Sequence, residues 1–315
     1  MKKRGKILVA AICCFVLGGA AFGGALTFGF LNREAWAAAN ANIAAKRGVY
    51  ETPVQKEYPA ENAVSAFDIG VRSADVEVKR GAVDTVRVEY DDRFDGEFTV
   101  TETDGSLKIR QNAPKTWFSL DIGWVLNIFD GNWDDGKVTV TVPEDAAEFD
   151  TIKLSASSGK IVCAGLSAET LNVSVSSGGV KIADGAFGKA DLNAASGDIS
   201  VSDVQAGGLA ARSNSGKTQL TDVECGSFTG SSSSGNVALT SCAVKTVDFT
   251  VSSGNLTIDG LRGADAGNTA FDITVSSGGV KIFGERKGGR RYTNAPAVAE
   301  FSVKVKLSSG NFEIK

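Results

Sequence analysis

The sequence predicts an all-β protein: a parallel β-solenoid with about 19-residue coils, preceded by an N-terminal transmembrane helix. Three observations carry the prediction. A Ser-Gly pair returns at a fixed interval, apolar residues alternate on both sides of it, and an uncharged stretch near the N-terminus is long enough to span a bilayer. Composition agrees: the 315 residues include 37 Gly but only 5 Pro, with 43% hydrophobic and 22% charged side chains. Such a chain can bury a sizeable core. Abundant Gly with little Pro suits repeated tight turns between strands better than a flexible linker.

The repeat sets the domain. Its glycines stand at Gly159, Gly178, Gly197, Gly216, Gly235 and Gly254, evenly spaced by one repeat length, and further copies follow at Gly278 and Gly310 after longer intervals. Two and four positions beyond each Gly lie pairs such as Ile161 and Cys163, Val180 and Ile182, Leu256 and Ile258, and Phe312 and Ile314. Five and seven positions before it lie Leu154 and Ile152, Val173 and Leu171, Phe249 and Val247, and Ile273 and Phe271. A period of two marks strands with one buried face. Each unit therefore reads strand, Ser-Gly turn, strand, second turn.

One unit cannot bury its apolar side alone. Units stacked at about 4.8 Å per coil turn those positions into continuous ladders. Gly tolerates positive φ at the corner, and a Ser hydroxyl can satisfy nearby backbone groups. The crossover rule for parallel strands favours right-handed winding. The template extends backwards through Phe67, Ile69, Val71, Ser73-Ala74, Val76 and Val78, and again through Phe98, Val100, Gly105, Leu107 and Ile109. Val86-Val88 and Val138-Val140-Val142 supply further strands. Residues 63–315 thus read as one solenoid domain with an aromatic insertion at 113–136 and a basic insertion at 283–298. Lys315 falls within a strand, and the pattern assigns no cap to the last coil.

The run from Ile7 to Leu31 carries no charge. About 20 apolar residues span a bilayer, and this run is longer, whereas the apolar part of a signal peptide is about 7–15 long. Lys2, Lys3, Arg4 and Lys6 precede the run, so the positive-inside rule puts the N-terminus in the cytoplasm and the rest outside. Residues 1–6 then form a basic cytoplasmic tail, 7–31 the anchor, and 32–62 a juxtamembrane helix and tether, Ala-rich at first and containing Pro53 and Pro59. Small-residue triplets at Ala35-Trp36-Ala37 and Ala37-Ala38-Ala39 would suit cleavage, but the length of the run favours a retained anchor.

Several function classes drop out. There is no His, which removes Ser-His-Asp and Cys-His catalysis, histidine metal sites and histidine switches. Four of the 33 basic residues lie in the tail and all 37 acidic residues follow it, so the remainder is net −8 and a poor partner for nucleic acid. Cys163, Cys225 and Cys242 contain no CxxC pair. Cys225 and Cys242 read as small buried thiols, with a disulfide between successive coils as the alternative.

The exported pattern of apolar-x-apolar, Ser-Ser-Gly, apolar-x-apolar resembles the adhesin-like, toastrack-type β-strand-repeat families of unknown function common in Gram-positive bacteria. The resemblance covers residues 63 to 315 and rests on eight Ser-Gly copies. It implies an envelope-associated protein, in some cases connected with envelope-stress systems, and offers no catalytic motif to carry over.

Other motifs are weaker. Ala211 to Thr218 fits a loose nucleotide-loop pattern, but Gly216 belongs to the repeat and Gln219-Leu220-Thr221 continues as strand, so no nucleotide is expected. Asp130, Asn132 and Asp134 alternate as at the start of a calcium loop, yet Thr141 stands where a bidentate Glu would be needed. Trp117, Trp124 and Trp133 mark the aromatic insertion, as a cap or as a patch that grips a partner. Lys281, Arg286, Lys287, Arg290 and Arg291 form a basic cluster, either plain solvated surface or a hold on anionic polymer or lipid. Asp150, Asp184, Asp191, Asp198, Asp203 and Asp222 are the acids available for sugar hydrolysis, without a distinctive cluster.

The reading is a non-catalytic, membrane-anchored surface module for adhesion or envelope interaction, with no cofactor. Its expected partners are cell-wall polymer, anionic lipid or a membrane protein. An envelope-stress component touching a membrane partner is the alternative, and a polysaccharide-active enzyme the second.

Overall fold

In the computed structural model the described residues are 49–113 and 136–315. The expected span at 7–31, the helix expected after it and residues 114–135 of the aromatic insertion expected at 113–136 lie outside them. Among the described residues the secondary structure is all β, and no helix is long and apolar enough to cross a membrane. The chain runs through β1 (Val49–Pro59), β2 (Ala66–Val71), β3 (Asp75–Gly81), β4 (Arg87–Phe94), β5 (Phe98–Thr103), β6 (Ser106–Gln111) and β7 (Lys137–Pro143). The regular repeat comprises β8 (Phe149–Ala156), β9 (Ile161–Ala164), β10 (Ser167–Ser177), β11 (Val180–Ser196), β12 (Ile199–Ser215), β13 (Thr218–Thr221), β14 (Glu224–Ser234), β15 (Val237–Thr240), β16 (Ala243–Ser253) and β17 (Leu256–Asp259). Then follow β18 (Thr269–Ser277), β19 (Val280–Ile282), β20 (Glu285–Lys287), β21 (Arg291–Asn294), β22 (Phe301–Ser309) and β23 (Phe312–Ile314).

Register confirms the repeat. Leu171 pairs with Ile152 on one side and Ala190 on the other, and Val180 with Ile161 and Ile199, always in parallel and one repeat length apart. The alternate positions read from sequence point inward: Ile152, Leu154, Leu171, Val173, Ile161 and Cys163 are all at most 2% exposed. Each such aliphatic side chain contributes about 1.5–3 kcal/mol on burial.

The first corner is a stack of glycines. Gly178, at φ +145, sits so close to the coil before it that a Cβ would lie 2.2 Å from the Gly159 carbonyl oxygen. The residues after these glycines add a side-chain ladder: Asn236 Oδ1 accepts from the Asn255 N–H (2.9 Å), and Asn255 Oδ1 from the Asn311 N–H (2.9 Å). The second corner also needs left-handed backbone, and there Asp184, Asp203 and Asp222 take φ values of 52, 54 and 52. Asp tolerates that conformation better than most side chains, which gives these acids a structural reason to be there.

Two core details show how unequal units still stack. Phe249 lies over Phe228 with ring centroids 5.0 Å apart, and its ring occupies the space a Cβ on Gly230 would need. Ser213 and Thr218 are buried to 3% and 0% exposure, with hydroxyls that lack a hydrogen-bond partner among the described residues. Thr218 sits in an aliphatic ladder between Ile199 and Val237. Thr218→Val should therefore raise stability by about 1 kcal/mol, since it removes an unsatisfied buried hydroxyl at nearly constant shape. Thermal unfolding tests this, and a lowered midpoint would mean that the hydroxyl is bonded after all.

The order of coils in space departs from their order in sequence. β22 lies between β16 and β18, and β23 between β17 and β19, all in parallel. The last copy, around Gly310, is thus inserted between the coils of Gly254 and Gly278, which explains the irregular intervals before Gly278 and Gly310. Lys304 pairs with Asp248 (2.9 Å) on one neighbour, and Glu313 with Lys281 (2.9 Å) on the other. The other end repeats the device. β2 lies between β6 and β8, and β3 between β7 and β9. Both outermost coils are then covered by antiparallel strands, β5 on β6 and β4 on β7 at one end, β21 on β18 and β20 on β19 at the other.

Three expectations change accordingly. Residues 98–109 are a hairpin and not a coil: Asp104 and Gly105 both have positive φ (49 and 73), the requirement of a two-residue hairpin turn. Residues 49–59, placed by composition in a tether, form β1, whose prolines are tolerable because the strand pairs with β4 beside the end of the sheet. The basic insertion at 283–298 contains the strands that cover the last coil. At the first corner of β2 and β3 no glycine is present. Gln111 takes over: its Oε1 accepts from the N–H groups of Arg72 (2.7 Å), Ser73 (3.0 Å) and Ala74 (3.3 Å), and its Nε2 donates to Glu97 (2.8 Å).

Candidate functional site

The basic cluster is built on the covering strands. After β19 the chain reverses through Phe283 (φ +46) and Gly284 (φ +84), and β20 runs back with Arg286 opposite Lys281. Gly288 and Gly289 turn it again, and β21 lies on β18 with Arg291 opposite Thr274. An aromatic group pins the arrangement: Phe271 meets the Phe283 ring at 6.1 Å and the Tyr292 ring at 6.2 Å. Lys287 stands 5.6 Å above the Tyr292 ring and pairs with Glu285 (2.5 Å). That hydrogen bond holds the Lys287 pKa above its ordinary value and the Glu285 pKa below its own.

Lys281 and Arg291 are held by Glu313 (2.9 Å) and Asp272 (3.2 Å). Arg286 and Arg290 are exposed and join no ion pair among the described residues. A hollow of about 890 Å³ is lined by Lys281, Arg286, Lys287, Gly278, Gly279 and Asn311. Residues 281–315 hold eight basic and three acidic side chains, against eight basic and fourteen acidic over 49–113 at the far end. The stack is electrically polar along its length.

At that acidic end Glu102 clamps the incoming chain. Its carboxylate accepts from the Asn62 side chain (2.6 Å) and from the N–H groups of Asn62 (2.8 Å) and Glu61 (3.0 Å). These bonds, that of the Asn62 side chain foremost, hold the Glu102 pKa below its ordinary 4.5. A depressed carboxylate stabilises the fold above its ordinary pKa and stops doing so as pH falls through the lower folded value. Exchange protection of the Glu61 and Asn62 amides should thus be full near neutrality and collapse on acidification below about pH 4. Protection that persists at about pH 2 would refute the clamp.

A second concavity, of about 920 Å³, runs across the middle coils. Its floor is a glycine ladder, Gly188, Gly207 and Gly226, again spaced by one repeat length, and its walls carry mixed charge from Glu224, Lys245 and Arg262. This ladder is legible in the sequence as a second glycine series at the repeat interval, outside the Ser-Gly pattern. Besides the three corner aspartates, two of the acids considered for hydrolysis are held in structural contacts. Asp191 pairs with Arg212 (2.8 Å), and Asp198 accepts from the Lys217 N–H (2.7 Å).

Cys225 and Cys242 are separate buried thiols, and burial pushes both Cys163 and Cys225 up to about 12. Thiols so far from ionisation are poor nucleophiles. Trp117, Trp124 and Trp133, with the calcium candidates Asp130, Asn132 and Asp134, lie outside the described residues. Of the predicted partner-binding residues, the structure therefore gathers Arg286, Lys287, Arg290 and Arg291 at one end of the stack.

A family model described as Toastrack DUF4097 matches residues 64–315. Among solved structures, a provisionally named lipid binding protein from Parabacteroides distasonis is 17% identical, with 85% of this chain and 98% of that chain covered at a TM-score of 0.48. A provisionally named adhesin from the same species is 13% identical, with coverage of 84% and 97% and a TM-score of 0.47. A provisionally named cell adhesion protein from Clostridium sporogenes is 15% identical, covering 84% and 99% at 0.29. No curated protein matches the chain.

Proposed function

The chain belongs to the Toastrack DUF4097 family, and from that premise we propose that it is a non-catalytic, membrane-anchored surface module that binds the envelope through its basic end. The observation that carries this reading is the placement of Arg286 and Lys287 on β20, Arg291 on β21 and Arg290 in the turn between these closing strands, with Arg286 and Arg290 in no ion pair among the described residues. A plain solvated loop would not need an aromatic support or a lysine fixed by both a carboxylate and a ring. The structural duties of Asp184, Asp191, Asp198, Asp203 and Asp222 support a role without acid–base chemistry. The uncharged run at 7–31 supplies the anchor in this reading, with the domain outside.

Sedimentation of isolated cell walls and of anionic vesicles with the full chain held in zwitterionic nanodiscs tests the proposal. Binding should be strong at low salt and lost at high salt, because the Debye length shrinks from about 10 Å at 0.1 M to about 3 Å at 1 M. Replacing the four cations by Ser should weaken binding by about tenfold or more. Undiminished binding by that variant would move the contact to another surface.

A further inference from the structure

We propose that the trough floored by Gly188, Gly207 and Gly226 is a second binding site, for a linear uncharged polysaccharide chain lying along the stack. The site is separate from the basic end. Its three glycines fall at one bend of three successive coils, between the pairs Phe187 with Ala206 and Lys189 with Gly208 and their copies. The same position carries Glu169 one coil earlier and Lys245 one coil later, so the bend itself accepts a side chain. Where side chains are missing the coils close up. A Cβ on Gly207 would lie 2.5 Å from the Gly188 carbonyl oxygen, and one on Gly226 2.7 Å from that of Gly207. The result is a smooth, exposed backbone floor. Beside it Ala186, Gln205, Glu224, Ala243 and Arg262 follow one another a repeat apart, a row of about 19 Å at about 4.8 Å per coil.

Charge and hydrogen-bonding capacity select the ligand. Glu148, Glu224 and Glu300 stand around the trough with Lys245 and Arg262, all exposed and in no ion pair among the described residues. Neither sign prevails, so a polyion gains little from the field here. The carboxylates accept hydrogen bonds, Lys and Arg donate them, and Gln205 does both. A sugar hydroxyl also does both and can pair with every one of these groups. The Cys225 thiol, 4% exposed and lining the trough, adds a weak donor that has no hydrogen-bond partner among the described residues. The floor offers a peptide no pocket for its side chains. The C–H face of a sugar ring lies flat on such a surface, and the half-buried Phe301 ring provides another at one end. Spacing agrees: a 1,4-linked pyranose chain advances by nearly one strand spacing per sugar, so the row from Ala186 to Arg262 takes about four sugars.

The test titrates the full chain in zwitterionic nanodiscs with soluble β-1,4-linked oligomers of glucose and of N-acetylglucosamine, by calorimetry and by amide exchange. Affinity should rise with each added sugar up to about four and then level off. It should change less than about twofold between about 0.1 M and 1 M salt. Bound tetramer should slow exchange at residues 186–188, 205–207 and 224–226 and leave β20 and β21 unchanged. Gln205→Ala with Glu224→Ala, both at exposed positions, should weaken binding about tenfold, and an unchanged unfolding midpoint excludes a folding defect. Arg286→Ser with Arg290→Ser should leave the affinity as it was, so this site and the basic end stand or fail separately. Affinity that is independent of length, lost in high salt or absent for both sugars would overturn the inference. Protection of the trough by an uncharged Gly-Ser peptide but by no sugar would overturn it as well.

Discussion

Removal of residues 301–315 should unfold one end of the stack while the middle survives. The deletion takes out Val303, Val305, Leu307, Phe312 and Ile314, each at most 2% exposed, and with them roughly 10 kcal/mol of apolar burial. It also strips β16 and β18 of the strand that joins them. In a stacked repeat, stability is close to a sum of nearest-neighbour terms, so the loss stays local. Hydrogen exchange should show β16 to β21 unprotected and β10 to β13 nearly unchanged. A synthetic peptide of residues 301–315 should restore protection when added in excess. If β18 stays protected without the peptide, it has closed directly onto β16, and the vacated position is not selective for its strand.

Adjacent glycines give the second large effect. Gly178→Ala should cost about 4 kcal/mol, because its Cβ would meet the Gly159 carbonyl oxygen at 2.2 Å and the backbone there already has φ +145. Gly179→Ala, at the next position, should change stability by less than about 1 kcal/mol: its nearest neighbour would be the Asp198 carbonyl oxygen at 3.6 Å, with no positive φ to strain. Urea unfolding of the two variants at equal m-value decides the matter. Equal losses would show that the corner tolerates a Cβ and that the repeated Gly has some other cause.

How much of this was legible follows from what a period can encode. The regular interval gave the inward positions and the corners, because alternation and a small turn residue are local properties. Order was not legible. A longer interval looks like an insertion, and nothing in the pattern says that the copy at Gly310 precedes that at Gly278 in space. The hairpin at Asp104-Gly105 was misread since it shares alternation and a Gly with a true coil; the Asp before the Gly was the available clue. The covering strands β20 and β21 are three and four residues long, too short to show a period at all. Of the site, the cations were visible as a cluster in sequence. Their distance from the incoming chain was not, because it depends on the whole order of strands. Gln111 gave no signal either, as its work is done on residues 37 to 39 positions away.

The interlaced ends also bear on how such a protein changes length during evolution. A repeat copied after Lys315 would have to begin from inside the stack, between coils already paired on both faces. A repeat copied before Ala66 meets the same obstacle, since β2 is enclosed by β6 and β8. Only the middle, where sequence order and spatial order coincide, accepts a whole repeat unit without disturbing either closure. Gain or loss of coils is thus confined to the stretch between Gly159 and Gly254, and each such event moves the basic end nearer to or farther from the point of entry by about 4.8 Å. The repeat count then works as a ruler that selection can adjust while leaving the basic end untouched.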